Sequence, residues 1–203
     1  MKTLTVGYFQ LMLHSALERI KEREEEFSRL DALTGDGDHG TAIVTALSAA
    51  LVAAGKGVDF KAMLNDMGFA VMMQTSGSTS TLLGAFFLGM SDVVSGTALD
   101  ATGVQTMFAG GLANVRKQTK AGIGDKTMMD VLIPAIEAME ACASDDIGDL
   151  LSVAATAAQK GAEATLDMTA KFGRARNYGE RSKGFMDCGA ASWSTMFTAF
   201  STM

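Results

Sequence analysis

The chain has 203 residues, of which 48% are hydrophobic and 20% are charged, and its formal net charge is −6. This balance is typical of a globular domain, and the acidic surplus argues against a binding surface for nucleic acid or for an anionic membrane. An acidic protein that binds a polyanion needs positive charge, which a divalent cation commonly supplies.

The two cysteines and the start of the sequence bear on the compartment. Cys142 and Cys188 lie far apart and form no Cys-x-x-Cys unit, which is typical of reduced thiols rather than of a disulfide scaffold. The first residues lack the apolar core and the cleavage site of a secretory signal. We therefore expect a cytoplasmic protein. No linker, repeat or low-complexity tract interrupts the sequence, so we expect residues 1–203 to form one domain.

The spacing of apolar residues predicts an all-α chain. Apolar side chains recur at helical rather than alternating intervals, good helix formers abound, and Pro134 is the single proline. In chain order, we predict helices at 5–30, 40–55, 60–74, 79–95, 99–119, 126–142, 147–171 and 188–202. Asp59 and Asp125 stand where helix N-caps belong. Eight helices joined by short, glycine-centred loops predict an antiparallel up-and-down bundle or barrel.

Loops that join antiparallel helices alternate between the two ends of a bundle. This alternation predicts that four polar loops meet at one end, and these are 31–40, 76–80, 120–125 and 173–189. Because binding residues are concentrated on loops that a rigid scaffold positions, we expect the functional site at that end.

The segment 30–40, with the sequence LDALTGDGDHG, carries the strongest chemical signal. It places Asp31, Asp36 and Asp38 within eight residues, between two predicted helices. Mutual repulsion raises the pKa values of crowded carboxylates unless a positive charge lies between them. Magnesium binds carboxylate oxygens together with the phosphates of a substrate. The loop therefore predicts a magnesium site, and an acidic turn that only caps the following helix is the alternative.

Other acidic or glycine-rich motifs do not fit this loop. An EF-hand needs a glutamate at its twelfth position, where Leu47 or Ala42 stands here. The string Gly35-x-Gly37-x-x-Gly40 matches a dinucleotide fingerprint, but no predicted strand precedes it. The sequence contains no Walker A motif, which excludes a P-loop kinase.

Segment 74–81, QTSGSTST, is a loop of small polar residues that opens a helix. Free backbone N–H groups at a helix N-terminus suit a phosphate. An ordinary hydroxyl-capped connection is the alternative.

Segment 122–130 is a glycine turn that runs into a helix. Its Lys126 suits a phosphate or, by default, an ion pair with Asp130 four residues later. Met128 and Met129 are typical of a core, although a thioether also suits the face of a purine.

Segment 172–184 concentrates four cations, among them Arg174 and Arg176, in an acidic chain. Guanidinium groups suit a polyphosphate or an acidic partner surface, and a solvated loop is the alternative. The following Asp187 stands where an N-cap of the last helix belongs.

Taken together and in order, these loops resemble the L-type, nucleotide-binding domain of dihydroxyacetone kinases (DAK2/DhaL-like). The matching strings are 30–40, 77–79, 124–128, 173–175 and 179–182, followed by the cap of the last helix, so the resemblance covers residues 30–190. The first and third strings are specific to this family. Segments 76–81 and 185–190 depart from its usual pattern, and these departures bear on the adenine contacts and the acceptor more than on metal binding.

The resemblance implies an eight-helix barrel with ADP or ATP at one end. It implies that Asp31, Asp36 and Asp38 hold two Mg²⁺ ions that bridge the phosphates. It also implies phosphate contacts from His39, Gly40, Thr41, Ser78 and Thr79, nucleotide contacts from Met128 and Arg174, and an adenine side formed by Asp187, Cys188 and Gly189.

The function implied by the resemblance is that of the nucleotide subunit of a dihydroxyacetone, small-ketose or ketotetrose kinase. Such a subunit transfers a phosphoryl group to a sugar that a separate K-type subunit holds. Either ATP exchanges freely, or ADP stays bound and a phosphohistidine protein of the sugar phosphotransferase system rephosphorylates it. Two alternatives are the nucleotide domain of a fatty-acid-kinase-like enzyme and a non-enzymatic metal-binding helical module.

Overall fold

The computed structural model describes residues 1–74 and 77–203, and within these ranges the chain is mainly helical, as predicted. The helices are α1 (Val6–Glu22), α2 (Glu24–Ala32), α3 (His39–Ala54), α4 (Phe60–Met72), α5 (Ser78–Val93), α6 (Ala101–Gln118), α7 (Met129–Ala141), α8 (Ile147–Ala164) and α9 (Cys188–Ser201). Two 3-10 segments, Thr165–Asp167 and Arg174–Ser182, lie between α8 and α9. Strands β1 (Leu4–Thr5) and β2 (Ala98–Leu99) form an antiparallel pair.

The predicted first helix is in fact two helices. Arg23, with φ −114° and ψ 11°, interrupts it between α1 and α2. The guanidinium of Arg23 donates to the carboxylate of Glu26 and to the hydroxyl of Thr195 in α9, so a tertiary contact holds the break. Ile20 and Phe27 are buried on either side of the break. The helical spacing of apolar residues therefore continues across it in the sequence and predicted one helix.

Two other predicted boundaries were wrong. The helix predicted from residue 126 begins at Met129, because Lys126 has φ +60°, outside the helical region. Asp125 is therefore not its N-cap, and its carboxylate instead accepts from the Gly122 N–H and the Lys171 ammonium. The helix predicted to reach residue 171 ends at Ala164 and passes into a 3-10 turn.

Eight of the helices form a closed ring. Helices α1, α3, α4, α5, α6, α7, α8 and α9 each pack against the next, and α9 packs against α1. Helix α2 lies outside this order and contacts α3 and α9. Buried aromatic rings from α5, α6 and α9 meet in the interior, with Phe86, Phe108 and Phe197 in contact at centroid distances of 5.9–6.0 Å. The ring is thus a packed core.

Glycines allow α5 to approach both of its neighbours closely. A Cβ atom on Gly89 would lie 2.4 Å from the carbonyl oxygen of Gly110 in α6, and one on Gly110 would lie 2.6 Å from that of Gly89. Gly84 meets Gly68 of α4 in the same way, with both such distances at 3.0 Å. These contacts place backbone against backbone at two seams of the ring.

One end of the ring, which we call the capped end, is formed by the N-termini of α1, α4, α6 and α8. The β1–β2 pair, the bond from the Phe60 N–H to the Gly96 carbonyl, and the bond from the Ile147 N–H to the Met1 carbonyl hold it together. Side chains cap all four helices there, and they are those of Thr5, Asp59, Asp100 and Asp146. The predicted cap at Asp59 is confirmed. In the described ranges, no helix is both long and apolar enough to cross a membrane.

Candidate functional site

A cleft of about 560 Å³ opens at the end opposite the capped end. Its walls come from the α2–α3, α4–α5, α6–α7 and α8–α9 connections, so the predicted convergence of four loops is confirmed for the described residues. Its volume lies within the usual range for small-molecule sites. The predicted site residues that line the cleft are Asp31, Asp36, Asp38, His39, Thr41, Ser78, Thr79, Met128, Arg174, Asp187, Cys188 and Gly189.

Gly40 does not line the cleft and packs against α2 instead. A Cβ atom there would lie 2.1 Å from the carbonyl oxygen of Glu24. Ser76, which the sequence placed at the start of a divergent segment, lies outside the described residues.

The α2–α3 loop folds around the carboxylate of Asp31. One of its oxygens accepts from the N–H groups of Gly37 and Asp38, at 2.8 and 3.1 Å. Gly37 has φ +78°, a conformation that glycine adopts without strain. A Cβ atom on Gly35 would lie 2.4 Å from the other oxygen of Asp31. The glycines of the motif therefore let the loop close over its own first aspartate.

Asp31, Asp36 and Asp38 form a cluster of carboxylates, which we call the carboxylate cluster. One oxygen from each lies within 4.8 Å of the others. The guanidinium of Arg174 forms an ion pair with Asp36 and lowers the pKa of that carboxyl. Burial and the charges of Asp36 and Asp31 raise the pKa of Asp38. A single guanidinium thus faces three carboxyl groups, and surplus negative charge remains.

The donor set of the carboxylate cluster fits a hard divalent cation. Its ligand atoms are all carboxylate oxygens, the type that Mg²⁺ prefers, and two of the three side chains are exposed toward the cleft. A cation would offset the repulsion that raises the pKa of Asp38. The chemistry of the cluster therefore agrees with the magnesium site that the motif predicts.

Helix N-termini differ between the two ends of the ring. At the cleft, the N-cap residues of α3 and α5, Asp38 and Gly77, make no side-chain capping bond among the described residues. The first N–H groups of a helix have no acceptor within that helix, and they carry the positive end of its dipole. The cleft wall formed by α3 and α5 is accordingly suited to an anion.

Carboxylates lie at the N-termini of α7 and α9, although only the one at α9 caps its helix. Asp187 accepts from the N–H of Ala190 at 2.8 Å, which confirms the cap predicted for the last helix. Asp130, which is 1% exposed, accepts from the N–H groups of Gly124 and Thr127. The α7–α9 wall thus already carries negative charge and is less suited to a phosphate than the α3–α5 wall.

His39 is held by hydroxyl groups from two other helices. Its Nδ1 lies 3.2 Å from the Thr79 hydroxyl, and its Nε2 lies 2.9 Å from the Ser192 hydroxyl. The side chain is 8% exposed, and burial lowers the pKa of its imidazole. His39 therefore ties the start of α3 to the starts of α5 and α9.

Cys188 and Asp187 lie at the start of α9, beside the carboxylate cluster. The Sγ atom of Cys188 lies 3.7 Å from an oxygen of Asp31, and burial raises the pKa of the thiol well above its usual value. Burial also raises the pKa of Asp187 to about 6, although its bond from Ala190 and the charge of Lys126 act in the opposite direction. The α9 terminus is thus a poorly solvated part of the cleft.

Several cleft residues were missed by reasoning from sequence. The buried contacts of Lys126 are one example, since its ammonium donates to the carbonyl oxygens of Thr165 and Phe185 and does not form the default ion pair with Asp130. Trp193, 4% exposed, lines the cleft from α9. Its position one turn after Gly189 was the available signal. Phe172 and Met186 also line the cleft, and they flank segments that the sequence singled out only for their charged or capping residues.

Comparison with known proteins identifies the family of the chain. The family model described as the DAK2 domain matches residues 33–202. The chain belongs to the DAK2 domain family. A similar protein is the ADP-binding subunit DhaL of PEP-dependent dihydroxyacetone kinase 1 from Listeria innocua, with 34% identity over 90% of this chain and 88% of the relative. The resemblance noted from the loops is thereby confirmed.

Longer kinases contain a region similar to this DAK2 domain. D-erythrulose kinase of Mycolicibacterium smegmatis is 35% identical over 86% of this chain and 31% of its own length. The dihydroxyacetone kinase of C. freundii, solved with AMP-PNP and Mg²⁺, has a similar fold, with a TM-score of 0.74 and 23% identity over 95% of this chain and 33% of its own. This DAK2 domain thus spans about a third of the length of those enzymes.

Proposed function

We propose that this DAK2 domain is the nucleotide-binding subunit of a kinase for dihydroxyacetone or a related small ketose, and that it binds ADP or ATP through Mg²⁺. The observation that carries the proposal is the carboxylate cluster, whose three side chains converge within 4.8 Å at the wall of the cleft. Such a cluster suits a polyphosphate only when a cation stands between the two. Relatives named as ADP-binding DhaL subunits and as erythrulose kinases support this assignment.

The two walls of the cleft suit opposite ends of a nucleotide. We assign the phosphates to the wall of α3 and α5, where Thr41, Ser78 and Thr79 lie and no described side chain caps the helices. We assign the base to the wall of Met128 and Gly189, where the carboxylate of Asp130 lies in the first turn of α7 and that of Asp187 caps α9. This orientation brings the phosphates to the carboxylate cluster and to Arg174.

Asp31, Asp36 and Asp38 would hold Mg²⁺, and we propose two ions. Bound Mg²⁺ neutralises phosphate charge as the phosphoryl group is transferred. Asp31 is oriented for this role by the N–H groups of Gly37 and Asp38. The guanidinium of Arg174 forms an ion pair with the Asp36 carboxylate. When a cation binds that carboxylate, Arg174 is placed to pair with a phosphate instead.

The acceptor sugar is proposed to reside on a separate K-type subunit. Phosphoryl transfer depends on placing the acceptor hydroxyl in line with the terminal phosphate, so activity requires that both subunits assemble over the cleft. We propose that residues 1–203 act as one domain in this assembly, in the cytoplasm.

The phosphoryl donor distinguishes two versions of this function. Relatives from Listeria innocua and Escherichia coli are named PEP-dependent, and one from Lactococcus lactis is named PTS-dependent. We therefore favour ADP as a bound cofactor that a phosphohistidine protein rephosphorylates. Dialysis tests this choice, since a cofactor stays with the protein and freely exchanging ADP is lost.

The carboxylate cluster provides the mutational test of nucleotide binding. We expect Asp36→Asn to weaken Mg-ADP binding by at least about tenfold, because one anionic ligand is lost from a site whose charge holds the cation. Binding is measured by equilibrium dialysis, and circular dichroism checks that the helices persist. Asp66→Asn, an exposed change on α4, is the matched control and should bind like the wild type.

Two results would contradict the proposal. If Asp36→Asn binds Mg-ADP as tightly as the control, the carboxylate cluster does not hold the nucleotide. If the variant instead unfolds while Asp66→Asn does not, the cluster serves the fold, as a non-enzymatic module requires.

A further inference from the structure

Lys126 is a buried cation inside the wall of the cleft. It is 2% exposed, and within the described ranges it is the one non-glycine residue with a positive φ. A left-handed conformation is unfavourable for a lysine unless surrounding contacts enforce it. The carboxylate of Asp130 supplies such contacts, because it accepts from the N–H groups of Gly124 and Thr127 on either side of Lys126.

The ammonium of Lys126 reaches across to the connection between α8 and α9. It donates to the carbonyl oxygens of Thr165 and Phe185, and it lies 5.0 Å from the centre of the Phe185 ring. Thr165 is fully buried, and its hydroxyl accepts from the N–H of Asp187 at 3.0 Å. Lys126 and Thr165 together therefore fix residues 185–187, immediately before α9.

This network joins the segment before α7 to the segment before α9, and both segments form the same wall of the cleft. Met128 follows Lys126 by two residues, and Gly189 follows Asp187 by two residues. A Cβ atom on Gly189 would lie 3.5 Å from the Cβ atom of Met128, so the segments meet at this point. Any shift between them changes the surface that we assign to the base.

We propose that Lys126 is a positioning residue that sets the base side of the nucleotide site by locking the Met128 segment to the start of α9, and that it does not bind phosphate. This inference rests on the proposed function. It separates Lys126 from Arg174, whose guanidinium pairs with Asp36 of the carboxylate cluster. The ammonium of Lys126 is already engaged by two carbonyl groups of the connection between α8 and α9.

The test compares ligands with and without a base. Lys126→Met keeps the length of the side chain but leaves the Thr165 and Phe185 carbonyl groups without their donor. We expect Mg-ADP to bind at least about tenfold more weakly to it, whereas Mg-pyrophosphate binds within about twofold of the wild type. Calorimetry measures Mg-ADP, and displacement of ADP measures Mg-pyrophosphate.

Two further variants complete the design. Thr165→Val removes the hydroxyl bond to Asp187 at nearly constant shape and should reproduce the base-selective loss, so it carries the test if Lys126→Met fails to fold. Lys171→Met removes an exposed cation that pairs with Asp125, the residue before Lys126. This variant should bind both ligands as the wild type does.

The outcomes are distinct. Equal weakening of both ligands, or wild-type binding of Mg-ADP by both Lys126→Met and Thr165→Val, overturns the positioning role. A wild type that binds Mg-ADP but not Mg-pyrophosphate also overturns it, because the phosphate side then does not act independently of the base side. If the wild type does not bind Mg-ADP at all, the proposed function itself fails.

Discussion

Asp187 caps α9 from a position where burial opposes its ionisation. Its carboxylate accepts from the N–H of Ala190, and burial raises its pKa to about 6. Lys126 opposes this rise, whereas the charges of Asp130 and Asp31 add to it. In the unfolded chain an aspartate has a pKa of about 3.9. The folded protein therefore holds this proton more tightly than the unfolded chain does.

A pH-dependent stability follows from that difference. Below about pH 4 the carboxyl is protonated in both states, and as pH rises toward 6 the unfolded chain ionises first, so the free energy of unfolding falls. Asp187→Asn keeps the cap without this titration. We expect the variant to gain about 2–3 kcal/mol relative to the wild type between pH 4 and pH 6.

Urea unfolding of both proteins across this pH range measures the effect. A difference in unfolding free energy that stays constant with pH, or that shifts in favour of the wild type as pH rises, would show that the fold does not hold Asp187 protonated.

Single residues were predictable from sequence where a motif defined them and not where packing did. The convergence of Asp31, Asp36 and Asp38 was predictable because the spacing of acidic and glycine residues is local information, and their role as metal ligands stays a prediction. The phosphate role of His39 stays a prediction, whereas the contacts of its ring nitrogens with the Thr79 and Ser192 hydroxyl groups were not predictable, since Ser192 lies 153 positions away in sequence. Lys126 was interpreted by default as a surface cation, because the adjacent sequence indicates neither its burial nor its positive φ.

At the scale of the helix, close packing through glycine is the feature most open to test. A Cβ atom on Gly89 of α5 or on Gly110 of α6 would meet the other's carbonyl oxygen and also a side chain, that of Asn114 or Val93 respectively. Alanine usually favours a helix over glycine by about 1 kcal/mol. Here its methyl group would meet a carbonyl oxygen at 2.6 Å or less, and separating the helices disturbs the packed interior.

We therefore expect Gly110→Ala to lower the free energy of unfolding by about 1–3 kcal/mol. Gly7→Ala is the control, because a Cβ atom there meets nothing within 4 Å in α1, and it should be neutral or stabilising by up to about 1 kcal/mol. Thermal unfolding compares the two variants with the wild type. A Gly110→Ala protein as stable as Gly7→Ala would mean that α5 and α6 are not constrained by this contact.

Helix existence was predictable, whereas some helix ends were not. The apolar period identified every segment of the ring, and the acidic caps located the starts of α4 and α9. The break at Arg23 escaped because buried residues continue in phase on both sides of it, and its cause is a hydrogen bond to Thr195 of a distant helix. The start of α7 was placed too early because Asp130, inside the helix, holds the preceding turn.

At the scale of the molecule, the two ends of the ring have different tasks. Four helix N-termini at the capped end are closed by side chains of their own sequence. At the other end, α3 and α5 have no side-chain cap among the described residues, and three carboxylates stand beside them. Helix dipoles that attract an anion thus lie next to carboxylates that repel one. A cation bound to the carboxylates would remove this repulsion and let an anion bind at the helix N-termini.

The alternation of loops in an up-and-down fold made the convergence of the four polar loops at the cleft predictable from the sequence. Four polar loops separated by pairs of helices must fall on the same end once the ring closes. Residue spacing alone gave no direction for a bound nucleotide, and only the family resemblance supplied one, because which helix termini are already satisfied, as at Asp187, depends on the packed fold.

The central claim is that the carboxylate cluster binds a nucleotide only by way of a divalent cation. Calorimetric titration of the wild-type protein with ADP, once in Mg²⁺ and once in excess EDTA, tests it most directly. We predict saturable binding of one ADP per chain in Mg²⁺ and loss of that binding in EDTA. Binding of equal affinity in both buffers, or none in either, would contradict it.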